Sequence, residues 1–435
     1  MTTINLYDIF TNEKLNKDPN MTNQGNALRV LSINGGGVKG LVPAKILKEI
    51  VVASGDKPIH ELFDYIIGTS IGGIIATALT VTNKNGDLIY SVDDVIEIIA
   101  TESKNIFPQT WVNTIPGYEL FYSKYERSGI DGLLYNKLGN ATLLNTKIPV
   151  TTVSYSLDKD GPRLWSTFKA RINDQYNFFL RDAAGATSAA PTYFAPKITK
   201  TPSKEIYRDV DGGIFANSPT FLGIGELVKA EPTAQWNNII VVSLGTGKFP
   251  DTPDLPQHTD YSLYVGTSVI GTTAICSLGV WFGMLGTPAC IKAISLLCFG
   301  ANGINFLHNA YNNNGGIGWI SHGLIDKMMK GAELSDSIVS STVFKAIRIN
   351  PSLDQKFAAL DKGDDAHMQE MSQDISRFIQ ENNPLWKNVA DCLESRYYSS
   401  KSCITAREDT AQFNEEFKFD VSGLIMKIAV DTIND

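Results

Sequence analysis

Cysteine is scarce in this chain: five residues in 435, at Cys276, Cys290, Cys298, Cys392 and Cys403, with none in the first 275 positions. The number is odd and no C-x-x-C pair occurs. That pattern argues against a disulfide scaffold or a zinc ribbon and favours isolated thiols in a reducing compartment. Positive charge is also in short supply. Lys and Arg number 38 against 46 Asp and Glu, a formal net charge of -8, so there is no basic surplus to displace the counterions of a nucleic acid. The first 24 residues lack the basic start, apolar run and small-residue cleavage site of a secretory signal, so a cytoplasmic location is expected, with signal-independent export invisible at this level. No internal repeat is visible. What the chain does have is apolar character: 43% hydrophobic residues suffice for a large core and exclude wholesale disorder.

Periodicity supplies the organisation. Residues 1–27 form a polar arm with no repeat of apolar positions. Leu28-Arg29-Val30-Leu31-Ser32-Ile33 reads as a buried strand, followed by a glycine cluster and an apolar helix over 41–53. A second strand, 65–67, enters another tight turn and another apolar helix, 73–82. Further strand-like runs lie at 148–155, 239–244 and 343–349, with helical patterns between them, as over 92–103. Strands alternating with helices predict an α/β class: a three-layer α/β/α sandwich around a central, mostly parallel sheet. After 247 the pattern turns mostly helical, ending with 374–381 and 385–396. The expected division is a polar arm (1–27), an α/β unit (28–247) and a mostly helical region (248–435) packed on or beside it.

One stretch stands apart. Residues 261–291 contain no formally charged side chain, and the apolar run continues past Lys292 to Phe299. A transmembrane helix wants about 20 predominantly apolar residues. Here Thr, Ser and Gly recur and Pro288 interrupts, so a buried helical pair is the first reading. A flap facing lipid or a partner is the second, and a true span the last.

Two glycine-rich turns carry the chemistry. The first, Gly35-Gly36-Gly37-Val38-Lys39-Gly40, matches G-x-G-x-x-G between a strand and a helix, the dinucleotide fingerprint. The acid that should hold a ribose about 20 residues on, at the end of a second strand, is poorly matched: Asp56 and Glu61 flank Pro58 in a loop-like stretch. A Walker A site fails because Gly40, not Ser or Thr, follows Lys39. The other physical reading is an anion nest, in which consecutive backbone N–H groups converge at a helix N-terminus whose dipole favours negative charge.

The second turn, Gly68-Thr69-Ser70-Ile71-Gly72-Gly73, contains G-x-S-x-G directly after a strand and before a helix. That is the setting of a nucleophile elbow, a corner too tight for side chains at the flanking positions, which projects the Ser70 hydroxyl. Gly266-Thr267-Ser268 begins in the same way, but Ile270 stands where the glycine is needed. A serine hydroxyl needs an adjacent base. His258, His308 or His322 with Asp211 would complete a triad in the order Ser, acid, His, yet none of these histidines sits in a compelling motif. Asp211 does stand out, in Arg208-Asp209-Val210-Asp211-Gly212-Gly213, although a bare D-G-G also suits a simple Asx turn.

Four stretches in order complete the pattern: Ile33-Asn34-Gly35-Gly36-Gly37-Val38-Lys39-Gly40, Phe63-Asp64-Tyr65-Ile66-Ile67-Gly68-Thr69-Ser70-Ile71-Gly72-Gly73, Ala186-Thr187-Ser188-Ala189-Ala190-Pro191-Thr192-Tyr193-Phe194 and Asp211-Gly212-Gly213. Together they resemble the patatin-like phospholipases, over roughly 28–247. The resemblance implies a Ser–Asp dyad rather than a triad, with Ser70 as nucleophile and Asp211 as general base. It also implies oxyanion-hole amides from Gly35, Gly36 and Gly37, with Ile71 a further donor. Lys39, Gly40, Gly68, Gly72, Gly212 and Gly213 would support these parts, and Lys39 would meet a lipid phosphate or be solvated. An ordinary Asp, with a pKa of about 3.9, is a weak base unless partly desolvated. The implied activity is acyl-ester hydrolysis of lipids, with no metal and no cofactor. Asp158-Lys159-Asp160-Gly161 lacks the spacing of a calcium loop and reads as a hairpin turn. The implied partner is a lipid or membrane substrate met through apolar contacts, with an activator conceivable but unidentified. A dinucleotide binder using Gly35–Gly40 and a non-enzymatic storage or partner-binding member are the competing readings.

Overall fold

Leu28–Ile33 forms strand β1, and its side chains sort by parity: Leu31 and Ile33 enter one apolar core while Val30 enters another. The same alternation holds in β2 (Tyr65–Thr69), where Ile66 faces the first core and Tyr65 and Ile67 the second, and in β7 (Ile239–Leu244). Successive residues of a strand point to opposite faces, so two separate cores mean a sheet covered on both sides. The computed structural model describes residues 27–108, 123–159, 161–201, 205–234, 238–249, 346–396 and 400–411. The polar arm up to residue 26 and the charge-free segment 261–291 lie outside them.

Among the described residues the sheet has eight strands, adding β3 (Val150–Ser156), β4 (Gly161–Ser166), β5 (Lys197–Lys200), β6 (Ile206–Asp211) and β8 (Ala346–Ile349). β1 pairs in parallel with β2 and β7, β2 with β3, and β7 with β8. The β4, β5 and β6 pairings are antiparallel. The class is α/β with a mostly parallel central sheet, as expected.

Helices cover both faces. On the first lie α1 (Leu41–Ala53), α2 (Ile71–Thr80), α3 (Val92–Ile106), α4 (Arg127–Leu138) and α5 (Leu180–Thr187). α6 (Thr220–Ala230) packs Ile224 and Leu227 on the second face. α3 shows why such a helix starts where it does. The Ser91 hydroxyl accepts from the Asp94 N–H while the Asp94 carboxylate accepts from the Ser91 N–H, a capping box that satisfies two donors of the first turn. Its Val92, Val95, Ile99, Ser103 and Ile106, three or four residues apart, form the buried stripe. At the N-terminal ends of the two inner strands, Arg29 on β1 makes a bidentate pair with Asp64 at 2.9 and 3.0 Å, locking the entrances of β1 and β2 together. Burial alone would raise the Asp64 pKa, but the hydrogen bonds and charge of Arg29 outweigh it and hold the carboxyl below its ordinary value.

Beyond β8, α7 (Asp365–Glu381) and α8 (Asn383–Ser395) pack against α1, and α9 (Lys401–Ala411) against α8. Here the cysteine reading is corrected. Cys392 of α8 and Cys403 of α9, both fully buried, form a disulfide with Cα atoms 4.6 Å apart. The short connection folds α9 back on α8, so positions 11 residues apart become neighbours, which no close-spaced cysteine motif announces. The bridge also withdraws the cysteine-based argument for a reducing compartment. Cys276, Cys290 and Cys298 lie outside the described residues. By loop-closure entropy a bridge over so short a loop contributes about 3 kcal/mol. Reduction, or Cys403→Ser, is therefore expected to lower the denaturant midpoint of unfolding, and an unchanged midpoint would show that the clasp adds no stability.

Candidate active site

The sheet brings together two residues 141 positions apart. β4 occupies one edge of β3 along 151–156, so β2 and β6 must share the other. β2 runs parallel to β3 and pairs Thr69 with Val153; β6 runs antiparallel and pairs Asp211 with Ser154. The two strands thus approach head to head, and their last residues stand at consecutive positions of β3. Ser70 follows β2, and its Oγ donates to Asp211 Oδ2 at 2.5 Å.

Ser70 sits at φ 56° and ψ −127°, outside the regions an ordinary residue favours, as the elbow motif predicts. The corner holds because α2 starts immediately and because Gly72 admits the neighbouring chain: a Cβ there would lie 2.3 Å from the Ile33 carbonyl oxygen. The Ser70 N–H donates to Thr187 Oγ1 at 2.8 Å, and that hydroxyl donates to the Val153 carbonyl. On the base side, the Asp211 N–H donates to the Ala189 carbonyl at 2.9 Å, and the Gly213 N–H donates to Asp211 Oδ1 at 2.6 Å. The stretch 187–189 therefore orients both partners.

Asp211 is only 3% exposed. Burial pushes its carboxyl up to about 7, against the opposing pull of the hydrogen bonds from Ser70 and Gly213. A carboxylate with that affinity for a proton is far better matched to accept one from a hydroxyl at neutral pH than an ordinary Asp.

Both side chains line a cavity of about 90 Å³. Its floor and sides are apolar, with Ile74 of α2, Ile99 and Ile106 of α3, Leu133 of α4, and Phe194 and Leu360 from loops. Gly36 and Gly37 form part of the rim.

Placing the remaining sequence-predicted residues sharpens three of them. The Gly35 N–H already donates to the Asn217 carbonyl at 3.0 Å, so Gly35 is not a spare donor, and the loop's candidate amides are those of Gly36 and Gly37. The Ile71 N–H, first in α2, has no partner within its own helix, and Ile71 lines the same pocket. Lys39 is buried: its Nζ donates to the Ala358 carbonyl at 3.1 Å and lies 4.5 Å from the centre of the Phe249 ring, which does not fit the expectation of a solvated or phosphate-facing lysine. Asp56 and Glu61 are exposed and neither ends a strand; where a ribose acid would stand, β2 gives way to Ser70. His60 and His367 are absent from the pocket lining, and His258, His308 and His322 lie outside the described residues. The turn at Asp158 is the β3–β4 hairpin, its carboxylate accepting from Arg208. Sequence reasoning missed the roles of Thr187 and Ala189, although the stretch that holds them was singled out. Among the described residues no helix is long and apolar enough to cross a membrane.

The family model described as Patatin-like phospholipase matches residues 31–223. Patatin-like protein 2 of Arabidopsis thaliana is 31% identical over 247 residues, covering 51% of this chain and 60% of the relative. Probable inactive patatin-3-Kuras 1 of Solanum tuberosum is 28% identical over 242 residues, covering 51% and 63%. The chain thus spans about 60% of the length of the curated relatives it matches. A solved structure, VipD from Legionella pneumophila, aligns at 10% identity over 91% of this chain and 81% of that one with a TM-score of 0.27, too weak a likeness to carry an argument. The matched span holds both glycine turns, Ser70, Thr187, Ala189 and Asp211, and ends before β7. Over residues 31–223, somewhat under half of its length, the chain carries a patatin-like phospholipase domain.

Proposed function

We propose that the protein is a lipid acyl hydrolase of the phospholipase A type, working through an acyl-Ser70 intermediate. The observation that carries this reading is the 2.5 Å contact of Ser70 Oγ with Asp211 Oδ2 beside an apolar pocket. Ser70 Oγ attacks the ester carbonyl carbon as its proton passes to Asp211. The oxyanion so formed takes hydrogen bonds from the Gly36 and Gly37 amides, with Ile71 as a further donor. Collapse breaks the ester bond, and the protonated Asp211 returns its proton to the leaving alcohol. Water then attacks the acyl-serine, Asp211 accepting a proton from it, and the fatty acid is released with Ser70 regenerated. The apolar walls suit an acyl chain, whose burial contributes roughly 0.8 kcal/mol per methylene. The net charge of -8 gives no electrostatic attraction to anionic membranes, so contact with a lipid surface rests on apolar groups. Dinucleotide binding is not favoured, because it leaves the Ser70–Asp211 pair without a task.

The test is labelling of the wild type with a fluorophosphonate probe, together with release of fatty acid from phosphatidylcholine vesicles. Labelling on the Ser70 peptide and fatty-acid release are expected. Absence of both would overturn the reading and return the chain to the storage or partner-binding class.

A further inference from the structure

The glycine loop is held from outside the matched span. After β8 the chain passes through 355–361 and lays Leu360 against the loop: the Val38 N–H donates to the Leu360 carbonyl at 2.9 Å, and Leu360 lines the pocket beside Gly36 and Gly37. The approach is close enough that a Cβ on Gly37, itself at φ +59°, would lie 2.1 Å from that carbonyl oxygen. A second tie runs two residues earlier, from Lys39 Nζ to the Ala358 carbonyl.

The next residue, Asp361, is 8% exposed and anchored on the opposite side. Its Oδ2 accepts from Lys124 Nζ at 2.5 Å and from the Tyr125 hydroxyl at 2.8 Å. Tyr125 in turn packs its ring on Phe107 and Phe194, both of the pocket wall. The oxygen that receives the Val38 N–H belongs to the peptide joining Leu360 to Asp361. Pinning the Asp361 carboxylate therefore fixes the plane of that peptide. Fixing the Val38 N–H likewise fixes the Gly37–Val38 peptide, and with it the direction in which the preceding amides point.

We propose that Asp361 is a positioning residue: clamped by Lys124 and Tyr125, it holds the Leu360 carbonyl on the Val38 N–H and so aims the Gly36 and Gly37 amides at the oxyanion. The inference rests on the acyl-hydrolase reading above. It places a determinant of the rate in the part of the chain that the family match does not reach.

The experiment compares wild type, Asp361→Ala, Asp361→Asn and Tyr125→Phe by steady-state hydrolysis of a soluble p-nitrophenyl ester, with circular dichroism as the check on folding. Misplaced oxyanion donors cost transition-state binding and spare ground-state binding. Asp361→Ala is therefore expected to lose about 10- to 100-fold in kcat with KM within about twofold. Asp361→Asn keeps an oxygen for both donors and is expected to recover most of that loss. Tyr125→Phe, which removes one hydroxyl, should fall between it and wild type. A folded Asp361→Ala with wild-type kcat, or one whose loss lies in KM, overturns the inference and leaves the acyl-hydrolase reading standing. Should Asp361→Ala fail to fold, a folded Lys124→Ala/Tyr125→Phe double variant, which strips both donors from the carboxylate, with wild-type kcat overturns it as well. A wild type that neither takes the fluorophosphonate nor hydrolyses the ester defeats the underlying reading instead.

Discussion

Ser70→Ala is expected to abolish fluorophosphonate labelling and to lower ester hydrolysis by about 10⁴- to 10⁶-fold, with the fold intact. The size follows from the proposed role of the hydroxyl: without a nucleophile no acyl-enzyme would form, and only oxyanion stabilisation and substrate binding would remain. The fold survives because the change deletes one oxygen. Alanine meets the same backbone strain at φ 56° as serine does, and the Ser70 N–H keeps its bond to Thr187 Oγ1. The deletion also leaves Asp211 Oδ2 without its hydroxyl donor in a dry site, which favours the protonated carboxyl and so avoids a stranded buried charge. Retention of more than about a hundredth of wild-type hydrolysis, with folding confirmed, would remove Ser70 from the nucleophile's role.

Asp211→Asn is expected to pull activity and stability in opposite directions. In its proposed role as base, Asp211 works only when ionised. Wild-type kcat/KM should rise about tenfold per pH unit up to about pH 7, the value to which burial pushes the carboxyl, and level off above it. Asn cannot accept the proton, and a loss of roughly 10²- to 10⁴-fold is expected on the plateau. For stability, the folded state holds the proton to about pH 7 while the unfolded chain releases it near the ordinary carboxyl value of 3.8. The group's contribution is thus complete below 3.8 and lost as pH rises through about 7. Above that point the native state carries a buried carboxylate at a cost on the order of a few kcal/mol. Asn carries no charge to bury. The melting temperature of Asp211→Asn should therefore exceed that of wild type by more at pH 8 than at pH 5. An equal difference at both pH values would mean that the carboxyl titrates at its ordinary pKa.

How much of this was legible in the sequence depends on where each constraint acts. β1, α1 and β7 were read to their observed ends because fully buried parallel strands and a core helix require long apolar runs. The elbow was legible for a related reason: a backbone corner demands particular residue types within five positions, so the demand is written locally. α4 and α6 were not read as helices. Each carries two internal glycines that break the apolar count, and packing on neighbours overrides that weak propensity. β5 was hidden by its brevity and its terminal lysines. In the site, Thr187 and Ala189 act through one hydroxyl and one carbonyl on partners far along the chain, and the Gly35 amide meets Asn217 across 182 positions of sequence. Such contacts leave no local pattern. The same holds for Asp361, whose partners come from a loop more than 200 residues earlier.

The head-to-head meeting of β2 and β6 on β3 makes the reactive contact a matter of register. A strand shifts along its neighbour only in steps of about 3.3 Å, and each step turns its side chains to the other face. The gap between hydroxyl and carboxylate is therefore set digitally: one alignment of the two strands gives a working pair, and the next gives none. For the proposed hydrolysis, change that preserves the reaction must fall instead on the helical walls, at positions such as Ile99 and Leu133, where side chains of different length alter the pocket without touching the alignment.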